Sequence, residues 1–224
     1  LVRDGYLNTT HDVPDAGRPY VFGVADGLGG QRAGEVASKV VLSCLREDIR
    51  SLRSNLAPAV VMRELRNISD EIQRHLVGRG AANQRYQGMA TTLTALLFYE
   101  GAFFVVHVGD TRCYVFSNGA LRGVTRDHTL REFSGDSRIP GSILSNCFGT
   151  RDGFFADIHQ LNDGDKGDVF LLCSDGFSDL VPTNTTETVL RENETMKTTG
   201  EGLLREAREA GGRDNITFIL ARIL

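Results

Sequence analysis

An α+β fold, with helices layered over antiparallel sheet, is what this 224-residue sequence predicts. Three observations carry the prediction. Apolar residues at helical spacing fall in blocks early and late in the chain. Between the blocks lie consecutive apolar runs joined by tight turns, which implies antiparallel pairing because a parallel pair needs a long crossover. Strand and helix do not alternate regularly, as they would in a doubly wound domain.

In order, residues 20–26 (YVFGVAD) form a short apolar run ending at Asp-Gly, a strand entering a turn. Residues 33–53 change period. Ala33, Val36, Ala37, Val40, Val41, Cys44, Leu45 and Ile49 share one helical face. Pro58 suits the first turn of a second helix, with Val61, Leu65, Ile68, Ile72 and Leu76 on its face and Gly78 and Gly80 ending it. Residues 90–99, 102–109 and 113–117 read as strands. Ser117-Asn118-Gly119 is a hairpin turn, since Asn-Gly tolerates the positive φ angles of type I′, and 120–125 completes the hairpin. Residues 129–152, rich in Gly and Ser, read as irregular. Residues 168–174 (DVFLLCS) read as a buried strand, 198–210 as a helix packing through Leu203, Leu204, Ala207 and Ala210, and 215–224 as a closing strand.

Composition narrows the function. With 41% hydrophobic and 24% charged residues the chain is ordinary globular protein. The 25 basic and 29 acidic residues give a net charge of −4, and the arginines are dispersed, so nucleic acid is not an expected partner. No apolar run approaches the ~20 residues of a membrane helix. The densest, residues 93–108, is split by Glu100-Gly101, so a membrane is not expected either. Cys44, Cys113, Cys147 and Cys173 form no CxxC pair and read as free thiols, which points to a cytoplasmic location.

The acidic residues are unevenly chosen: 17 Asp against 12 Glu. Four Asp share a setting. Asp26, Asp110 and Asp175 end apolar strands, and Asp214 precedes one. In an antiparallel sheet the start of one strand lies beside the end of its neighbour, so the four carboxylates would converge on one rim. Bare, they would raise one another's pKa values. A cation removes that penalty, and all-oxygen ligation points to Mg²⁺, Mn²⁺ or Ca²⁺ rather than zinc. Other chemistries lack their parts. His107 reads as a satisfied strand histidine, and no GxxxxGK[ST] loop, Gly-x-Ser-x-Gly elbow or Cys-x5-Arg loop is present. DGDKGD (163–168) has Asp168 where a calcium loop needs Gly, and reads as a polar turn.

These residues resemble the motifs of the metal-dependent serine/threonine protein phosphatases, the PPM or protein phosphatase 2C family. VADGLGGQRAGEVAS (24–38) is similar to its Asp-Gly-x-Gly-Gly segment and following helix. ATTLTALLF (90–98) and HVGDTRCYVFSNGALRGVTRDHTL (107–130) resemble the central motifs, including the Gly-Asp-[ST]-Arg and Thr-x-Asp-His pieces. VFLLCSDGFSD (169–179) and GGRDNITFILAR (211–222) resemble the last two. The resemblance runs in order over nearly the whole chain, implying one catalytic domain across 1–224 whose N-terminus cuts into the first motif.

The fold implied is a four-layer αββα sandwich, two antiparallel sheets flanked by helices. The activity implied is hydrolysis of phosphoserine and phosphothreonine in proteins, by a hydroxide bridging two Mn²⁺ or Mg²⁺ ions. By position, Asp26 would bridge both metals, the Gly27 carbonyl would bind one, and Asp175 and Asp214 the other. Asp110 matches a residue implicated in a third, weaker metal in bacterial members. Asp4 is the best match to the acidic ligand of the first motif, with Asp12 and Asp15 weaker candidates, and the family's phosphate-binding Arg would precede Leu1. Leu28 stands where animal members carry a proton-donating His, which favours a bacterial type with metal-bound water as the proton donor. Residues 131–148 are shorter than the family's mobile flap. A monomer is expected. Two alternatives stay open, an inactive member serving as a phosphoprotein-binding scaffold and a phosphatase of small phosphate esters, because fold alone does not separate them.

Overall fold

The computed structural model describes residues 19–28, 31–161, 164–192 and 195–224. In chain order its strands are β1 (Tyr20–Val24), β2 (Gly27–Leu28), β3 (Ala90–Thr91), β4 (Leu93–Tyr99), β5 (Ala102–Val108), β6 (Arg112–Ser117), β7 (Ala120–Gly123), β8 (Asp157–Leu161), β9 (Val169–Cys173) and β10 (Phe218–Arg222). Its helices are α1 (Gln31–Arg50), α2 (Pro58–Ala82), α3 (Leu130–Ser134), α4 (Asp175–Ser178), α5 (Thr183–Glu192) and α6 (Met196–Glu209). The strands make two four-stranded sheets, in the orders β1-β4-β5-β8 and β10-β9-β6-β7, with β2 and β3 as a separate pair. Every strand pairing is antiparallel.

Alternation along the strands sorts the core into layers, since successive side chains point to opposite faces. Leu93, Ala95 and Leu97 of β4 and Phe104, Val106 and Val108 of β5 face the helices, where Ala37, Val41, Leu45, Val61, Leu65, Ile72 and Leu76 of α1 and α2 cover them. The residues between, Leu96 and Val105, face the other sheet and meet Cys113, Val115, Phe170 and Leu172. On the far side of that sheet Leu171 and Cys173 pack against Phe177, Val189, Leu203 and Ala207. The result is helices, sheet, sheet, helices, the expected αββα sandwich. Buried on both faces, β9 reads in sequence as an unbroken apolar run and β4 as one interrupted only by Thr94, rather than as alternation.

The structure corrects several expectations. Gly78 and Gly80 do not end the second helix, which runs through both to Ala82. Glycine in a helix interior costs roughly 1 kcal/mol against alanine, and the buried face from Val61 to Leu76 outweighs it. The stretch 129–152 contains α3, capped where the Thr129 hydroxyl accepts the Glu132 N–H and closed by Gly135 at φ 70°. The run 90–99 breaks at Thr92 into β3 and β4, and the closing strand begins at Phe218 rather than 215. Strand β8 and helices α4 and α5 were not foreseen. Sheet-edge β8 (DIHQL) buries only Ile158, and α5 is threonine-rich, held by Thr186, Val189 and Leu190. All four cysteines are free thiols, Cys113 and Cys173 fully buried.

Candidate metal centre

Register places the aspartates. Thr94 of β4 pairs with Val24 on one side and His107 on the other. Both neighbours therefore run the same way and leave the sheet at the same level, which sends Asp26 and Asp110 to one rim. In the second sheet Phe218 pairs with Cys173, so the segment entering β10 lies beside the end of β9. Ser174 fastens the two. Its N–H donates to the Thr217 carbonyl at 2.9 Å, and its hydroxyl accepts the Thr217 N–H at 3.2 Å. Gly176 permits the closest approach: a Cβ there would lie 2.4 Å from the Asn215 carbonyl oxygen and 3.3 Å from the Asp214 Cβ. Asp175 and Asp214 are thereby brought side by side.

The carboxylates act on one another across the two sheets. Burial, then the charge of Asp175 and a hydrogen bond with it, then the charge of Asp214, push the Asp26 carboxyl up to about 6. Burial, then Asp175 and Asp127, push Asp110 up to about 7. The leading influences on both are desolvation and other anions, the signature of carboxylates crowded without a compensating cation. The basic side chain closest in sequence to Asp110 is committed elsewhere: Arg112 forks onto Asp127 (Nε–Oδ1 2.9 Å, Nη2–Oδ2 2.7 Å) and reaches Asp179 at 3.1 Å.

Asp26, Asp175 and Asp214 each have a similar local tether. Oδ1 of Asp175 accepts the Gly176 N–H at 2.7 Å, Oδ1 of Asp214 accepts the Asn215 N–H at 2.7 Å, and Asp26 accepts from Gly27. This bond fixes one oxygen and leaves the other for a partner. Asp26 is further held by two threonines. The Thr92 hydroxyl accepts its N–H at 3.0 Å, the Thr92 N–H donates to its carbonyl at 2.9 Å, and the Thr91 hydroxyl donates to the same carbonyl at 2.6 Å. Gly27, in β2 opposite Thr91, lies hard against Gly34 of α1.

Of the residues singled out in the sequence, the structure thus brings Asp26 into interaction with Asp175 and Asp214, and Asp110 into interaction with Asp175 and Asp26, with Gly27 adjoining. Asp4, Asp12 and Asp15 lie outside the described residues. Among the described residues no group of three or more His, Cys, Asp or Glu side chains stands ready to hold an ion; the crowded carboxylates interact without closing to a ligand set. His107 is a satisfied strand histidine as expected, its Nε2–H donating to the Arg126 carbonyl at 2.9 Å and its Nδ1 meeting the Thr94 hydroxyl at 2.9 Å. Thr91 and Thr92 stand in the ATTLTALLF segment (90–98) without a role of their own in the sequence. Their sequence signal was two hydroxyls interrupting an apolar run.

Comparisons with known proteins bear on the fold and the family. The family model described as protein phosphatase 2C matches residues 9–221. The serine/threonine phosphatase stp of Listeria monocytogenes is 30% identical over 207 residues, covering 88% of this chain and 82% of that protein. Among solved structures, the serine/threonine phosphatase Stp1 from Staphylococcus aureus is 30% identical with a TM-score of 0.81, covering 91% of this chain and 84% of that one. The catalytic domain of the serine threonine protein phosphatase PstP, solved in complex with two manganese ions, is 27% identical with a TM-score of 0.77, covering 95% and 93%.

Proposed function

Because the chain belongs to the protein phosphatase 2C family, we propose that it hydrolyses phosphoserine and phosphothreonine in proteins at a centre of divalent cations held by Asp26, the Gly27 carbonyl, Asp175 and Asp214. The observation that carries the proposal is the convergence of Asp175 and Asp214 on a half-buried Asp26 whose carboxyl is forced up to about 6. Such a cluster is a poor structural device, since burial and mutual repulsion both oppose its ionised form. It suits hard cations with oxygen ligands, and the manganese complex of PstP supports Mn²⁺ or Mg²⁺. When bound, two such ions activate water for in-line attack on phosphorus and screen the phosphoryl oxygens.

The chain's own residues prepare that site. The next-residue N–H bonds on Asp26, Asp175 and Asp214 hold each carboxylate in place with an oxygen to spare. Thr91 and Thr92 fix the backbone of Asp26, which would hold the cations with Asp175 and Asp214. Asp110, on the same rim and in electrostatic contact with Asp26 and Asp175, is assigned to a third, weaker ion, and Asp4 to the remaining acidic ligand. Leu28 offers no proton, so protonation of the leaving group is assigned to water.

Retention of Asp26, Asp175 and Asp214 together favours catalysis over an inert phosphoprotein-binding scaffold, and the named relatives favour protein substrates over small esters. Core packing that continues through all four layers supports one catalytic domain over 1–224. No helix among the described residues is long and apolar enough to cross a membrane; a cytoplasmic monomer completes the proposal, with size-exclusion chromatography as its check. The activity test is phosphate release from a phosphothreonine peptide beside a phosphotyrosine control, with Mn²⁺ and then EDTA. Release from phosphothreonine that needs Mn²⁺ and stops with EDTA is expected. Release unaffected by EDTA, or equal on both peptides, contradicts the proposal.

A further inference from the structure

We infer that His128 is a positioning residue for Asp110, acting through the peptide groups of Gly109. The inference rests on the reading of Asp110 as part of the metal centre. Gly109 is the link between β5 and Asp110, and its conformation, φ +108°, is one that other residues rarely adopt. A Cβ at this position would lie 2.5 Å from the Thr92 Cγ2, so glycine is also required by space. A glycine link is conformationally loose unless both of its peptide groups are held.

His128 holds both. Its backbone N–H donates to the Gly109 carbonyl at 2.7 Å, and its Nδ1 accepts the Gly109 N–H at 3.2 Å. The ring is itself fixed in the state that this requires. Nδ1 also accepts from Asn146 Nδ2 at 2.9 Å, so two donors converge on it and it carries no proton. The proton is on Nε2, which donates to Asp157 Oδ2 at 3.0 Å. Asn146 is fixed in turn, because its Nδ2 also donates to the Phe155 carbonyl at 2.8 Å. The imidazole packs against His107 and Phe155, each with ring centroids 4.6 Å away. Asp157 to His128 to Gly109 is therefore a continuous line of hydrogen bonds ending one residue short of Asp110. Without the Nδ1 acceptor, the buried Gly109 N–H has no partner and the Val108–Gly109 peptide is free to turn about the glycine, leaving the His128 N–H on the Gly109 carbonyl as the remaining hold. Groups outside the ligand set that orient it are commonly worth about 10–100-fold in metal affinity or activity.

Two amide substitutions separate this role from simple packing. Asparagine at 128 places its amide oxygen near the position of Nδ1 and keeps an acceptor for Gly109. Glutamine reaches toward Asp157 and leaves Gly109 without one. The measurements are hydrogen exchange of the Gly109 amide by NMR, the weakest step of a Mn²⁺ titration by calorimetry, and kcat and KM on a phosphothreonine peptide. Asp110→Asn serves as the reference for the weak step. His128→Gln is expected to speed Gly109 exchange, abolish the weak step as Asp110→Asn does, and lower kcat about 10-fold or more with KM little changed. His128→Asn is expected to recover much of each. Asp157→Ala, at a partly exposed side chain, tests the same line without opening the core and should speed Gly109 exchange several-fold. Native Gly109 exchange in both His128→Gln and Asp157→Ala overturns the inference, as does equal impairment by Gln and Asn at 128. Should Asp110→Asn itself leave the titration and turnover unchanged, it is the reading of Asp110 that fails, while the exchange of Gly109 still reports on the hold.

Discussion

Thr92 is where a single hydroxyl bears most directly on the centre. It accepts the Asp26 N–H, while its methyl lies against Gly109. Thr92→Val keeps the shape and removes the acceptor, leaving a partly buried N–H without a partner. That costs about 1–3 kcal/mol, and Mn²⁺ affinity should fall with it. Thr92→Ser keeps the hydroxyl and should retain affinity at a smaller stability cost from the lost methyl. Urea unfolding with Mn²⁺ calorimetry checks both, and equal affinity in the two variants would contradict the role. The aspartates were legible in sequence because a charge ending an apolar run is conspicuous on its own. The threonines were not, because Thr92 acquires its meaning only through a bond to a residue 66 positions away. His128 is visible in sequence as the end of the Thr-x-Asp-His piece, but its role is not, because its partners, Gly109 and Asp157, lie 19 and 29 residues off.

At the scale of elements, α2 does more than cover a sheet. Gln73 projects from its buried face and holds the far end of the 129–152 segment, accepting the Gly149 N–H at 2.7 Å and donating to the Thr150 carbonyl at 2.6 Å. The same segment is bonded in both directions between Phe148 and Thr91, at 3.0 and 2.9 Å. Thr91 in turn holds Asp26, so α2 braces the rim on which Asp26 sits. Gln73→Ala strands two polar backbone groups and should cost about 2 kcal/mol or more, read as a lower urea midpoint with an unchanged denaturant slope. A midpoint like that of the wild type would contradict the clamp. Periodicity fixed the face of α2 but not its end, because glycine's cost of roughly 1 kcal/mol per position is decided by tertiary packing that lies outside the local sequence. The segment 129–152 reads as irregular for a related reason: much of its order comes from Thr91 and Gln73, each on another part of the chain.

For the molecule as a whole, two antiparallel sheets stacked face to face account for both the fold and the site. The rims of one sheet and the other meet, so carboxylates far apart in sequence share one edge. The αββα order was legible through the family motifs, while the strands alone indicated only helices layered on antiparallel sheet. The stacked core also buries His107, whose imidazole is pushed down to about 3 by desolvation and then by His128. The unfolded chain takes up that proton near 6.5 and the folded one does not until about 3. Below pH 6.5 the unfolded state thus binds the extra proton, and this contribution to stability is lost as pH falls toward 3, at up to about 1.4 kcal/mol per pH unit. His107→Asn removes the titration. The difference in unfolding free energy between wild type and variant should shrink as pH falls from 7 to 4; a difference that stays constant would contradict a neutral, buried His107.

The central claim is that Asp26, Asp175 and Asp214 form a metal centre, and anomalous diffraction at the manganese edge tests it most directly. Crystals grown with MnCl₂ should show two strong anomalous peaks at ligand distance from these carboxylates, with Asp26 touching both, and Asp175→Asn crystals should lose at least one. Wild-type crystals with no peak at this rim, or with manganese bound only elsewhere, would contradict the account.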